Sequence, residues 1–395
     1  MHIIIIGNYP LDRVESMHRF ARLLHMGFSK AGVSSEIWQP SVFFGHLSKS
    51  NAASNINKWL GYADKFVIFP FILFWRMLNN KFTATDVRFH ICDHGNAPYL
   101  KYLPLDRTVI TCHDVHAIRG ALGHSDSYTP ASSLGKQFQR WILQHLNRSK
   151  YLIAVSHQTL KQLREISPAG TFHTTGHDWR VVHNGFNGKF GTMVPAEQHA
   201  QLTKAGVDPS VPFILHVGSN SLRKNRELLV EMLKVLRTEW NGKVCFAGDQ
   251  VDDSLIRYAS SLGFLANIIS VAHPDHATLV ALYNAAETFV FPSFSEGFGW
   301  PLIEAQACGT PVIASSVAPM PEVGGDGAIY VDPNEPEEFA RAFLMLKNKE
   351  FRTLMIRKGL ENAKRFDSQN MIAAYLHFHR NGAPEPTVAV LEDQL

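Results

Sequence analysis

Short apolar runs alternate with amphipathic stretches along most of the chain, and this rhythm limits the possible folds more than any other feature. The first run, HIIIIG, is followed by DRVESMHRFARLLHMGFSKAG, which has helical spacing. Similar pairs recur as far as GAIYVD, which ends at Asp332. Strands that alternate with helices form parallel sheets covered on both faces. The sequence therefore predicts an α/β fold of doubly wound sheets.

The rhythm breaks once, in a polar segment rich in Gly and Pro at residues 186–210, and restarts with FILHVGS. A chain of 395 residues also exceeds what one core usually covers. We predict an N-terminal domain over residues 1–190 and a C-terminal domain over 191–365. Residues 366–380 are predicted to form a terminal helix that crosses back to the first domain, and 381–395 a loose tail. Two such domains would bind ligands in the cleft between them, at the carboxyl ends of their strands.

Charge is distributed unevenly between the two halves. Residues 1–185 hold 20 Lys/Arg and 11 Asp/Glu, whereas the remainder holds 18 and 24. A basic half suggests an anionic partner such as phospholipid or a phosphorylated acceptor, with nucleic acid less favoured. Ordinary variation among surface residues is the alternative.

The longest apolar segment, FVIFPFILFW at residues 66–75, is about half the ~20 residues that a membrane span needs. Lys65 and Arg76 flank it, so it could lie on a membrane surface, or it could be a helix packed in the core. The N-terminal apolar run is too short for a signal peptide. The four cysteines lack metal-binding spacing. These features predict a cytoplasmic protein with reduced thiols.

The stretch SEGFGWPLIEA, residues 295–305, places two glutamates around a glycine turn. Pro301 suits the first turn of a helix, so we expect free N–H groups of that helix to point over Gly297 and Gly299. Such a helix start favours a phosphate, while Glu296 and Glu304 would accept hydrogen bonds from hydroxyls. A nucleotide sugar supplies both the phosphate groups and the hydroxyls. A surface Glu296 and a Glu304 that only complements the helix dipole form the alternative.

Two further strand ends carry candidate side chains. HVGSNSLRKN repeats the strand–glycine–helix layout, with Arg223 and Lys224 placed to hold a diphosphate and offset the charge that develops as it leaves. VITCHDVH places His113 and Asp114 after a strand, where His113 could contact a sugar. A solvated basic pair and a structural histidine are the alternatives.

Taken together, these motifs resemble the retaining GT-B glycosyltransferases of glycosyltransferase family 4. EGFGWPLIE is similar to the E-x7-E motif of that family, VGSNSLRKN to its phosphate loop, VVHNGFN to its interdomain segment and TCHD to its first-domain histidine. GNYPLDRVESMHRFARLL resembles the opening of bacterial mannosyltransferase-like members. The resemblance implies the GT-B fold, with two Rossmann-like domains that face a central cleft.

The resemblance also implies roles for individual residues. Catalytic roles fall to His113, Glu296, Arg223 and Lys224. Donor-binding roles fall to Gly7, Gly218, Ala272, His273, Gly297, Phe298, Gly299, Trp300, Leu302 and Glu304. Acceptor-binding roles fall to Arg13 and Asp114. Ser219 departs from the family pattern, because many members carry Arg directly after the glycine of the phosphate loop.

The family implies hexose transfer with retention, to a lipid-linked or polysaccharide acceptor. GDP-mannose is the first expected donor, and UDP-glucose or UDP-N-acetylglucosamine is the alternative. The sequence has no D-x-D motif, so we expect no metal and no other cofactor. Peripheral contact with an anionic membrane is expected, and nucleic acid binding is not. An oxidoreductase would need G-x-G-x-x-G after the first strand, which IIIIGNYPLD lacks. A non-catalytic sugar-nucleotide binder and an epimerase stay open.

Overall fold

Two six-stranded parallel sheets form the framework of the protein. A computed structural model describes residues 1–12, 15–47, 60–168 and 177–381. The strand order is β2-β1-β3-β4-β5-β6 in the first sheet and β12-β11-β10-β7-β8-β9 in the second. The predicted α/β class with two doubly wound domains is confirmed. The predicted tail lies outside the described residues, apart from residue 381.

The first sheet and its helices occupy the N-terminal half. The strands are β1 (His2–Ile6), β2 (Ser34–Trp38), β3 (Val87–Ile91), β4 (Thr108–Cys112), β5 (Tyr151–Ala154) and β6 (Asp178–Val181). The helices are α1 (Glu15–Lys30), α2 (Phe69–Met77), α3 (Asn80–Thr83), α4 (His116–Leu122), α5 (Ser133–Leu146) and α6 (His157–Ile166). A π-helical turn, Asp64–Ile68, leads directly into α2.

The second sheet follows the interdomain segment. Its strands are β7 (Phe213–Gly218), β8 (Lys243–Gly248), β9 (Ile268–Ala272), β10 (Thr288–Phe291), β11 (Val312–Ser315) and β12 (Ala328–Val331). The helices are α7 (Pro195–Lys204), α8 (Glu227–Leu236), α9 (Asp253–Ser261), α10 (His276–Ala285), α11 (Trp300–Ala307), α12 (Met320–Gly324), α13 (Pro336–Met345) and α14 (Lys349–Ala363). None of the helices in the described ranges is long and apolar enough to cross a membrane.

Both faces of each sheet are buried, which explains the uninterrupted apolar runs. Ile4 and Ile6 of β1 belong to the core cluster on one face, while Ile3 and Ile5 belong to the cluster on the other. Successive side chains of a strand point to opposite faces, so a strand covered on both sides is apolar at every position. The β-branched side chains of isoleucine also fit a pleated sheet well.

The last helix, α15 (Ser368–Asn381), returns to the first domain. Met371, Tyr375 and Phe378 lie in the same buried cluster as Ile3 and Ile5. The Tyr375 hydroxyl lies 3.3 Å from Oγ1 of Thr111 on β4. Helix α15 is thus part of the first domain's core.

The order of the strands fixes where a ligand can bind. The order reverses between β1 and β3 in the first sheet, and between β7 and β10 in the second. Open α/β sheets bind ligands at such switch points, at the carboxyl ends of the strands. The loops after β7 and β10 carry Lys224 and Glu296, so both residues are brought to one switch point.

Tyr375→Ala tests how strongly α15 supports the first domain. Tyr375 is fully buried, so the cavity left by its ring should lower the free energy of unfolding by about 3–5 kcal/mol. Urea titration monitored by tryptophan fluorescence would measure the free energy of unfolding. Gln369→Ala, at an exposed position of the same helix, is the control and should change the value by less than about 0.5 kcal/mol. Equal effects of both variants would contradict a core role for α15.

Candidate active site

Lys224 is held in the loop that follows β7. A short 3-10 turn, Leu222–Lys224, ends at Asn225, whose φ of 51° is left-handed. Nζ of Lys224 lies 2.6 Å from Oε1 of Glu296, and both side chains are buried. The backbone of Gly218 packs against the Lys224 stem, since a Cβ there would lie 3.3 Å from Cδ and Cε.

Glu296 bridges two cations. Nη1 of Arg223 lies 2.7 Å from Oε2 of Glu296 and also donates to the Ser295 carbonyl at 3.1 Å. Burial by itself would raise the pKa of Glu296, but the charges of Lys224 and Arg223 outweigh burial and lower it to about 2. Burial lowers the pKa of Lys224, whereas the attraction of Glu296 opposes that effect. These three groups together carry one net positive charge, which the Asp114 carboxylate partly offsets through its attraction to Arg223.

The loop after β10 runs into the start of α11. Gly299, with φ of 103°, precedes the helix, and Pro301 occupies its first turn. A side chain at Gly297 would collide with the first domain, because its Cβ would lie 1.9 Å from the His113 carbonyl oxygen. Glycine at this position therefore lets the two domains meet beside the helix start.

Glu304 lies on the buried side of α11. Its Oε2 accepts a hydrogen bond from the Tyr283 hydroxyl at 2.9 Å. Burial raises the pKa of Glu304 to about 7, while Tyr283, Arg19 of α1 and Lys224 all act to lower it. Electrostatic coupling to Lys224 and to Arg19 of the first domain places Glu304 beside the ion cluster, at the cleft.

His113 follows β4 and is buried. Its Nε2 donates to the Cys92 carbonyl at 3.0 Å, so Nδ1 is the acceptor nitrogen of the neutral ring. Burial lowers the pKa of His113 to about 4, which keeps the ring neutral at pH 7. The ring centroids of Phe20 and Trp300 lie 4.7 Å and 6.1 Å from the centroid of the His113 ring. Within the described part of the chain, Nδ1 has no hydrogen-bond partner.

Several predicted residues lie in the segments that follow strands at the carboxyl ends of the two sheets. The Asp114 carboxylate accepts from the His116 amide at 3.0 Å; burial would raise its pKa, but the nearby His116 and His94 side chains, this hydrogen bond and Arg223 lower it to about 2. Phe298 is buried in the second domain's core, and Trp300 Nε1 donates to the Gly185 carbonyl at 3.1 Å. Gly7, after β1, donates its N–H to the Trp38 carbonyl at 2.8 Å.

Other predicted residues lie apart from the cluster or make other contacts. Ala272 and His273 are exposed at the end of β9. This strand forms one edge of the second sheet, and β12 forms the other. The Leu302 side chain is fully buried, and its N–H donates to the Gly299 carbonyl at 3.0 Å. Arg13 lies outside the described residues.

Sequence motifs did not identify several polar groups of the site. His116 Nε2, His216 Nε2 and both amide atoms of Asn184 are buried and have no hydrogen-bond partner among the described residues. Burial lowers the pKa of His216 to about 3, and Lys224 lowers it further. Buried polar groups without partners usually mark an unseen water or ligand. These residues lie within the motifs HVGSNSLRKN, VITCHDVH and VVHNGFN, but the motifs assigned them no role, because only the tertiary fold shows which of their atoms are buried without a partner.

Both domains also line a cavity of 370 Å³ beside the phosphate loop. The rings of Tyr128 and Phe294, one from each domain, stack with centroids 5.0 Å apart. Asn220, Ser221 and Arg226 also line this cavity and supply polar groups. The cleft therefore extends past the ion cluster.

A second interdomain contact joins His157, His183 and Glu322. Oε1 of Glu322 accepts from the His157 amide at 2.8 Å and lies 2.7 Å from Nε2 of His183. The ligand atoms of these side chains lie within 4.8 Å of one another, which is close enough for a metal ion. The direct hydrogen bonds already explain the contact as a link between the domains.

Comparison with known proteins agrees with this geometry. Residues 198–362 match the family model described as "Glycosyl transferases group 1". O-antigen chain mannosyltransferase B of Escherichia coli is 28% identical over 287 residues, or 70% of this chain and 71% of that protein. D-inositol 3-phosphate glycosyltransferase of Segniliparus rotundus is 32% identical over 213 residues, or 51% of this chain and only 47% of that protein.

Solved structures resemble the whole chain. Sucrose-phosphate synthase from Thermosynechococcus elongatus superimposes with a TM-score of 0.71 at 18% identity, covering 96% of this chain and 98% of the other. HepE of Anabaena, in complex with UDP-glucose, gives a TM-score of 0.66 at 16% identity, covering 95% and 99%. These likenesses confirm the predicted arrangement of two doubly wound domains facing a cleft.

The raised pKa of Glu304 predicts a pH-dependent stability. Its stabilising contribution is fully present below the ordinary pKa of 4.5 and is lost as pH rises through about 7. Relative to Glu304→Gln, which keeps an acceptor for Tyr283 but does not ionise, the wild type should lose about 3 kcal/mol of unfolding free energy across this window. Urea titrations of both proteins at several pH values would measure the difference. A constant difference would show that Glu304 titrates normally.

Proposed function

We propose that this chain, whose residues 198–362 match the model of group 1 glycosyl transferases and whose fold is that of GT-B glycosyltransferases, transfers a hexose from a nucleotide sugar to an acceptor hydroxyl. The observation that carries the proposal is the buried cluster of Arg223, Lys224 and Glu296 at a strand switch point. A net positive charge beside a helix N-terminus suits a diphosphate.

Each side chain then has a role. Arg223 and Lys224 hold the diphosphate together with the N–H groups near Gly299, while Glu296 accepts hydrogen bonds from the sugar hydroxyls. Glu304 accepts from the ribose, since its Oε1 is not used by Tyr283. His113 Nδ1 accepts from a sugar hydroxyl near the reacting carbon, which its neutral ring permits.

The proposed donor is GDP-mannose. Similarity to a protein named as a mannosyltransferase supports this choice. UDP-hexoses are the alternative, supported by similarity to a protein crystallised with UDP-glucose. The region after β9, with Ala272 and His273, would border the base, and its exposure is compatible with access for either nucleotide.

The proposed mechanism is the retaining one of family 4. The acceptor hydroxyl attacks the anomeric carbon on the face from which the diphosphate leaves. The C–O bond to the diphosphate breaks, the new glycosidic bond forms, and a diphosphate oxygen takes the proton of the hydroxyl. Lys224 and Arg223 stabilise the departing charge from a site that largely excludes water.

The proposed acceptor is a lipid-linked or polysaccharide intermediate handled at the cytoplasmic face of a membrane. Similarity to an enzyme named for the O-antigen chain supports it. Arg13 and Asp114 would contact the acceptor from the first domain. The excess of Lys/Arg over Asp/Glu in residues 1–185 supports peripheral contact with an anionic membrane rather than with nucleic acid.

A thermal-shift screen against GDP-mannose, UDP-glucose and UDP-N-acetylglucosamine, followed by transfer assays, tests the proposal. One donor should stabilise the protein and be consumed only with acceptor. Lys224→Ala should slow transfer by roughly 10²–10³-fold, because the departing diphosphate loses a cation.

Lys234→Ala, at an exposed lysine of α8, is the matched control and should leave transfer unchanged. Binding without turnover over a broad acceptor panel would instead support a non-catalytic sugar-nucleotide binder. Isomerisation of the donor alone would support an epimerase. A near-normal rate for Lys224→Ala would show that the diphosphate lies elsewhere.

Metal independence is a separate prediction. The buried cations and the start of α11 can neutralise a diphosphate in place of a metal bridge, so transfer should continue in EDTA. Assays with EDTA, and with EDTA followed by excess Mg²⁺ or Mn²⁺, would measure the effect. Loss of transfer in EDTA with recovery on adding metal would contradict it. The variant Glu322→Gln would then show whether the His157–His183–Glu322 group holds the ion.

A further inference from the structure

One helical face of the first domain carries a row of large apolar side chains exposed to solvent. Val67, Phe71, Phe74, Trp75 and Leu78 are 64%, 61%, 51%, 58% and 59% exposed. Successive spacings of four, three, one and three residues place them along one side of the helical segment through α2. We call this row the α2 face. Monomeric soluble proteins rarely expose a contiguous apolar surface of this kind unless it binds something.

The opposite side of α2 is anchored in the core. Phe69 and Leu73 are buried in the first-domain cluster, and the Phe69 ring packs 5.1 Å from that of Tyr99. The helix therefore carries large apolar side chains on two sides, of which one is buried in protein. The interpretation of segment 66–75 as a helix packed in the core is confirmed for the buried side, while contact of the exposed side with a membrane stays a prediction.

A buried carboxylate fixes the start of this helix. Asp64 accepts from the Tyr9 hydroxyl at 2.6 Å and from the amides of Phe43, Phe44 and Gly45 at 3.2, 3.0 and 3.1 Å. The side chains of Phe43 and Phe44 are themselves 56% and 40% exposed. Asp64 thus holds two more exposed aromatic rings at the N-terminal end of the same helix.

The same contact places the α2 face near the candidate active site. Tyr9 follows β1 by three residues, at the carboxyl end of the first sheet, where the cleft lies. Lys65 Nζ lies 2.9 Å from Oδ2 of Asp12 in the same loop. A surface that docks on the α2 face would therefore lie beside the first-domain rim of the cleft.

The exposed charged side chains of the segment around the α2 face are positive. Of the three cations in residues 60–83, Lys65 pairs with Asp12, whereas Arg76 and Lys81 are exposed; the only acidic residue of this range, Asp64, is fully buried. The exposed Arg76 guanidinium stacks 4.3 Å from the centroid of the Trp38 ring, which holds its charge at the edge of the row. Exposed Phe and Trp side chains edged by cations suit the headgroup region of an anionic bilayer.

We propose that the α2 face docks the protein on a membrane that contains anionic phospholipid, with Phe71, Phe74 and Trp75 inserted at the headgroup boundary. The proposal rests on the proposed lipid-linked acceptor, because docking here would bring such an acceptor to the rim of the cleft. A second copy of this chain is the other apolar partner that could cover the face. Cations along the row disfavour self-pairing, since two copies would oppose like charges.

Co-sedimentation with vesicles tests the docking surface. The full chain should bind vesicles of phosphatidylcholine with phosphatidylglycerol, bind pure phosphatidylcholine weakly, and bind less as salt increases. Phe71→Ser, Phe74→Ser and Trp75→Ser combined should reduce the partition coefficient at least about tenfold. Met345→Ser, at a 54% exposed position of the second domain, is the matched control and should bind as the wild type does.

A second readout follows Trp75 directly. Brominated lipids should quench the fluorescence of the wild type, and Trp75→Phe should remove most of that quenching while keeping vesicle binding. Unchanged binding of the triple variant, or no binding by the wild type, would overturn the proposal. A wild-type dimer that the triple variant converts to monomer in sedimentation would assign the face to a second copy instead.

Nucleotide-sugar binding separates this proposal from the proposed function. The triple variant should keep the wild-type thermal shift with the donor, because α2 lies outside the ion cluster. If the donor shift is present and vesicle binding is absent, only the docking surface is wrong. If vesicle binding is present and no nucleotide sugar shifts the protein, the proposed transferase function fails and the membrane surface stands.

Discussion

The buried ion cluster of Glu296 with Lys224 and Arg223 is the interaction on which the site depends. Removing charges from water is costly, and an ion pair offsets that cost only when its geometry is close and its partners are complete. Glu296 meets this condition because each carboxylate oxygen contacts one cation, at 2.6 and 2.7 Å. Such contacts require the loops after β7 and β10 to meet, which the strand order of the second sheet ensures.

The loop that carries Glu296 is also the place where the domains touch. The Gly297 carbonyl accepts from the hydroxyls of Ser156 and Thr159 in the first domain, at 2.7 and 3.0 Å. Glu322 adds a contact between α12 and the N-terminus of α6. Any change in the relative position of the domains must therefore alter contacts one residue away from the ion cluster, which couples the arrangement of the domains to the geometry of the cluster.

Local sequence patterns predicted the strands, the helix start at Trp300 and the glycine turns, because these features depend on neighbours in the chain. Such patterns could not predict contacts between segments that are distant in the chain. His216 and Asn184 lie within quoted motifs, but the motifs do not indicate that these side chains would be buried without a partner among the described residues, which emerges only when the two sheets are assembled. The α2 segment shows a different limit. A helix with large apolar side chains on both its buried and its exposed side has little hydrophobic periodicity, so the sequence could not tell which side faces the core and which faces solvent.

The ligand-free charge balance of the cluster fits the proposed reaction. Two cations and one carboxylate have an excess of one positive charge, which is stable in a buried site only because Glu296 neutralises part of it. A bound diphosphate would bring further negative charge to Arg223 and Lys224, and their attraction to Glu296 would weaken as they turn to the phosphates. The Glu296 oxygens would then be available to sugar hydroxyls. One carboxylate can thus keep the cations charged before the donor binds and hold the sugar once the donor is bound.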